Sequence, residues 1–221
     1  SIFYKKEIDD TTYNFLRSLL WSHKNYYFAF FGKPTENIWG YKIEGHHLSI
    51  NFTFVNDKIS ATPFFIGTDP AEYPLSEYAG WRVLGQEEDL GTKLIQHLTT
   101  TQQKKATMNA SVPKDIITAA ESGKRLVDNW GIVGADLSEP QKNLLLYIIR
   151  EFVFNLEYEK ALIEYDKIIK AGIDKIYFGW IGEYDETKPH YFVLNGPTFI
   201  IEFDNNGGPR NGANHIHAIW R

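Results

Sequence analysis

The residues best equipped for chemistry in this 221-residue chain are its seven histidines, four of which fall in two tight groups. One group is His46-His47 and the other is His215-Ile216-His217. Residues two apart in a strand point the same way, roughly 6.7 Å apart at the backbone, so His215 and His217 can converge on one ion about 2.0–2.1 Å from each nitrogen. His47 is the expected third ligand. It alternates with Ser49, Asn51 and Thr53, whereas His46 falls on the apolar side. Glu202 and Asp204 share one face of a neighbouring strand and supply a carboxylate as ligand or general base, with Ser49 as a hydroxyl beside them. Two or three histidines with a carboxylate suit a divalent transition metal (Zn, Fe, Mn or Cu), and the donor set does not choose among them. The chain has no cysteine, so nitrogen and oxygen must do all the ligation.

Such a metal would activate a water or polarise a carbonyl or phosphoryl oxygen, which favours a hydrolase. The residues expected to position a small-molecule substrate are His46, Asn51, Asn205, Asn214, His190, Trp39 and Trp220. Two other readings compete. The chain is 15% aromatic, and Trp39, Tyr41, Trp180, Tyr191 and Trp220 could wall a ligand-binding module without catalysis. His47-Leu48-Ser49 also matches half of the paired H-x-[ST] signature of metal-free two-histidine phosphoesterases. The other half is unmatched, since His217 stands where Ser or Thr is needed. No G-x-S-x-G elbow or phosphate-binding glycine loop is present. The glycine- and asparagine-rich stretch 205–213 reads as a hairpin loop placed to gate the histidines.

These residues need strands to hold them. Leu48, Ile50, Phe52 and Phe54 alternate with polar residues over 46–55, and Asn56-Asp57 suits a tight turn into a partner strand over 58–65. Shorter strands are expected over 26–31 and 39–43. A short helix is expected over 10–21, before the first strands, and the middle reads as helices over 85–98, 113–122, 138–155 and 158–170. Ser138, Pro140 and Gln141 form the start of one of them, and Gly172 the stop of another. Strands return over 175–181, 190–195, 198–204 and 214–220. The pattern predicts a single α+β domain: an antiparallel sheet or partial barrel built from N- and C-terminal strand blocks, with a central group of helices packed outside.

The net charge of −5 and the dispersed Lys and Arg argue against nucleic acid as a partner. No apolar run reaches the roughly 18 residues a membrane span needs. The chain starts at Ser1 without a signal-peptide pattern, as expected of a truncated or processed piece, and neither compartment nor oligomeric state is encoded in these features.

Two segments carry a resemblance. One is Tyr27-Phe28, Phe31-Gly32-Lys33-Pro34, Trp39-Gly40-Tyr41 and Glu44-Gly45-His46-His47-Leu48-Ser49-Ile50-Asn51. The other is Gly196-Pro197-Thr198-Phe199, Glu202-Phe203-Asp204-Asn205, Ala213-Asn214-His215-Ile216-His217 and Trp220-Arg221. With Glu87-Glu88-Asp89-Leu90 and Pro113-Lys114-Asp115-Ile116 between them, the chain resembles the domain-of-unknown-function family thirty-five hundred over nearly its whole length. The resemblance brings no established reaction. It implies a longer helical N-terminal region than this chain carries, an acidic residue beyond Arg221, and recognisable motifs on the two histidine segments and on 202–205.

Overall fold

The computed structural model describes residues 25–74, 76–119, 129–207 and 213–221. The helix expected over 10–21, His23 and the centre of the 205–213 loop lie outside them. The described strands form one open, antiparallel ten-stranded sheet, so the chain is α+β. The N-terminal block is β1 (Tyr27–Phe31), β2 (Ile38–Gly45), β3 (Leu48–Val55), β4 (Lys58–Ser60) and β5 (Phe64–Thr68). The C-terminal block is β6 (Ile132–Val133), β7 (Tyr177–Gly182), β8 (His190–Asn195), β9 (Ile200–Asn205) and β10 (Ile216–Trp220). Across the sheet the order is β1-β2-β3-β5-β10-β9-β8-β7-β6, with β4 paired to β3.

The seam between the blocks is the β5–β10 pair. The segment expected as one return strand over 58–65 is in fact two. Lys58–Ser60 closes the hairpin after Asn56-Asp57, with Asn56 at φ 52° as that turn requires. Ala61-Thr62-Pro63 then breaks the ladder, because proline has no N–H to give it. After the break, β5 takes β3 on one edge and β10 on the other.

Helices α1 (Gly85–His97), α2 (Thr100–Ala106), α3 (Glu139–Val153) and α4 (Tyr158–Ala171) fill the centre of the chain. Ser138 and Gln141 form the expected capping box at the start of α3, and Gly172, at φ 105°, follows α4. The main core lies where α1 and α3 meet the sheet: Leu94, Ile95, Leu145, Ile148 and Ile149 pack with Phe178, Trp180, Phe192 and Phe203. The approach is close at Gly91, where a Cβ would stand 2.4 Å from the Phe192 ring. The helix expected over 113–122 is absent from its described part. Residues 113–119 instead run as irregular chain over the other face of the sheet. Ile117 packs there with Tyr191 and Val193 in a smaller apolar cluster.

Candidate metal centre

Register places the chemistry on that second face. Residues directly opposite in antiparallel strands share a face. Gly67, His217 and Asp204 therefore make one row across β5, β10 and β9. The next row is Ser49, Phe65, Ile219 and Glu202. His215 lies just before β10, where its backbone N–H donates to Asn205 Oδ1 at 3.2 Å.

His47 reaches the same place by a different route from the one expected. It is not a strand residue. His46 and His47 form the two-residue turn between β2 and β3, and His47 has φ 58°. That left-handed conformation carries its ring over β5, where the His47 carbonyl accepts from Gly67 N–H at 2.9 Å. The rings then converge. His47 Nε2 and His215 Nε2 are 2.8 Å apart, and ring centroids of His215 and His217 are 4.5 Å apart. One ligand nitrogen from each of His47, His215 and His217 falls within a 4.8 Å group.

Asp115, Asp204 and His217 make a second such group. His217 Nδ1 is 2.8 Å from Asp115 Oδ1 and 3.8 Å from Asp204 Oδ1. A carboxylate on Nδ1 fixes the imidazole tautomer and leaves Nε2 free to ligate. Asp204 is only 1% exposed, and its Oδ1 has no hydrogen-bond partner. His47 Nδ1 is likewise buried without one. Both unpaired atoms belong to residues of the two groups that could hold a metal ion. Burial, then the charges on Asp115 and Glu202, push the Asp204 carboxyl up to about 9. Burial, then the neighbouring histidine charges, pull His47 down to about 2, so its ring is neutral and offers a lone pair. Partial burial works to raise Asp115, but the hydrogen bond and charge of His217 outweigh it and hold that carboxyl below its usual range. These donors suit a divalent cation.

Glu202 is placed differently from Asp204, although both are fully inside. Its carboxylate accepts from Ile117 N–H at 2.6 Å, Tyr191 Oη–H at 2.8 Å, and both the N–H and hydroxyl of Thr118. Its oxygens are thus committed to pinning segment 115–118 onto the sheet, which brings Asp115 onto His217. Asn205 does a related task on the far side. Its Nδ2 donates to Glu88 Oε1 at 2.6 Å, and Glu88 is held by Arg82 at 2.6 Å. This ties the backbone of His215 to α1.

The remaining expected residues are dispersed. His46 lies against His47, with centroids 4.0 Å apart and rings tilted by 41°, and falls outside both metal groups. Ser49 sits one row from His217 on the same face, and Asn51 on that face donates to the Pro63 carbonyl at 3.0 Å. Asn214 accepts from Ala71 through its backbone carbonyl. His190 opposes Asn205 on the core face, fully buried and parallel to Trp180 at 5.0 Å. Trp220 is buried in the core, and Trp39 stacks on Phe54 at 4.0 Å at the distant end of β2. Trp180 and Tyr191 are also buried, so the five aromatics of the expected wall do not form one surface.

Two contributors were not named as site residues from the sequence. Asp115 was hidden in a stretch read as a helix. Gly67 is the other: a Cβ there would lie 2.8 Å from His47 Cδ2 and 3.0 Å from His217 Cδ2. A lone glycine inside a strand often marks such a close approach, and that was the available signal.

An antiparallel α+β fold with a histidine–carboxylate cluster on one face of its sheet is the class of protein defined here. The chain belongs to the family described as protein of unknown function (DUF3500), whose model matches residues 6–221. No curated protein and no solved structure matches it.

Proposed function

We propose that the protein is a metal-dependent enzyme, a hydrolase in preference to an oxidoreductase, acting on a small molecule. The observation that carries this reading is the meeting of His47, His215 and His217 beside Asp115 and Asp204, with the Asp204 Oδ1 and His47 Nδ1 atoms buried and unpaired. The three imidazoles would hold a divalent ion, and Asp115 orients His217 from behind. The ion would supply Lewis acidity to a substrate oxygen or to a water. With the ion's positive charge beside it, the buried Asp204 carboxyl would be ionised, and it would then take a proton from the attacking group and return it to the leaving group. Ser49, one row away, offers a hydroxyl to bound substrate. Glu202 and Asn205 act by holding segment 115–118 and His215 in place.

The test is elemental analysis of protein purified without a polyhistidine tag, followed by thermal melting with added Zn, Mn, Fe or Cu. The expectation is close to one equivalent of one metal, lost in His215→Ala/His217→Ala. Metal content well below one equivalent, together with no thermal shift from any of the four, would sink the proposal. Hydrolysis of a cyclic phosphodiester that survives chelation would favour the metal-free phosphoesterase instead.

A further inference from the structure

A cleft of about 410 Å³ lies beside the histidine cluster on the same sheet face. Asp115 and Phe65 join the two: Asp115 touches His217, and the Phe65 ring is 5.3 Å from the His217 ring. The cleft then runs along the strands, away from the cluster. Its floor is apolar, from Phe65 and Ile219. Its far end lies at Arg221, four residues beyond His217, or roughly 13 Å at about 3.3 Å per residue.

That far end carries Arg221 and an ion pair, Lys42 with Glu44, whose carboxylate also lines the cleft. Arg221 is fixed by its backbone, which pairs with Ile200 in both directions at 2.8 and 2.9 Å, and by a guanidinium bond to the Thr118 carbonyl. Its Nε is buried without a partner. A guanidinium so held presents its remaining donors in a fixed fork, the geometry that fits a carboxylate or phosphate. Lys42 stands across the cleft, bonded to Glu44 at 2.5 Å, with further donors on its ammonium. Ser49 lies between the two ends.

We propose that this cleft binds the anionic end, a carboxylate or a phosphate, of a small substrate whose reacting group lies at the histidine cluster. The inference rests on the proposed metal site for its direction, but the anion contacts belong to Arg221 and Lys42 alone. The reacting bond and the anion would be roughly 13 Å apart, the strand span from His217 to Arg221, a spacing that excludes the smallest acids and fits an acyl or phosphoryl compound with a negatively charged tail.

The test is calorimetric titration of succinate and of inorganic phosphate into metal-stripped protein, with chelator dialysed away, and again into zinc-loaded protein. At least one anion is expected to bind the stripped protein with a millimolar Kd. Arg221→Gln should weaken that binding at least tenfold, and Lys42→Gln about threefold. Succinate alone binding identifies a carboxylate tail, and phosphate alone a phosphate ester. Failure of both to saturate, or an unchanged Kd in Arg221→Gln, overturns the proposal. So does anion binding that appears only with zinc and ignores Arg221→Gln, since the ion would then be the receptor. Should Arg221→Gln not fold, an unchanged Kd in Lys42→Gln overturns it equally. Absence of zinc binding would refute the metal site while leaving the stripped-protein titration to decide the cleft.

Discussion

Replacing Gly67 by alanine tests whether the three imidazoles act as a unit. The new Cβ would stand 2.8 Å from His47 Cδ2, 2.8 Å from the Ile216 carbonyl and 3.0 Å from His217 Cδ2. Carbon atoms settle at about 3.5–4.0 Å, so at least about 0.5 Å must be found at both rings at once. Small-to-large changes of this kind cost about 1–3 kcal/mol, which for a chain of this length lowers Tm by about 2–10 °C. Metal ligands tolerate only about 0.2 Å of displacement, so zinc affinity should fall at least about tenfold. The assay is zinc calorimetry on folded, metal-stripped protein at a temperature well below both melting points. Ile66→Val is the control. Ile66 is the neighbour of Gly67 on β5 and packs on the opposite face against the core. It should lose about 0.5–1.5 kcal/mol of stability and no zinc affinity. A folded Gly67→Ala protein that binds zinc within twofold of the parent would refute the idea that this glycine makes room for the ligand rings.

Other perturbations separate the roles further. Asp115→Asn should weaken metal binding by about 10–100-fold in calorimetry, with little change in Tm, because Asp115 is exposed and acts through His217. Glu202→Gln leaves four donors facing a group that can no longer accept them all, so about 2–4 kcal/mol of stability should go in urea titration. The same variant should lose amide-exchange protection at Ile117 and Thr118. Burial, with help from the Glu151 charge, raises the Glu87 carboxyl to about 7. Its folded value lies above its unfolded one, so ionisation opposes folding: the cost is absent below about pH 4.5, grows to about pH 7 and is then constant at up to roughly 3 kcal/mol. Glu87→Gln should accordingly match the parent at pH 4 and exceed it in urea midpoint at pH 8. Equal midpoints at pH 8 would refute that assignment.

Local patterns in the sequence carried the strands and helix ends well. The alternation of Leu48, Ile50, Phe52 and Phe54, the Asn56-Asp57 turn and the Ser138 box each encode their own conformation within a few residues. What they could not encode was pairing. Asp204 lies opposite His217 because of the β9–β10 register, and β5 reaches β10 because Pro63 ends one ladder and frees the chain to start another. His47 was expected at the right locus through the wrong geometry, since a turn with one left-handed residue looks like continuing strand when the residue is not glycine. Asp115 was missed because Pro113-Lys114-Asp115 satisfies a helix start as well as it satisfies a loop. The side chain of Asp115 accepts from its own neighbour Ile116 at 2.7 Å, a local bond that competes with helix formation.

The seam at β5–β10 gives the cluster an order in time. His47 and His215 are 168 residues apart in sequence yet touch across that seam. At about 5–20 residues per second, the ribosome delivers the second histidine roughly 10–30 s after the first. Through that interval β5 has no β10 beside it, and His47 lacks both His215 and His217. An ion captured by the finished cluster would join the earlier-made half of the sheet to β10, acting as a latch that closes only once β10 has been made.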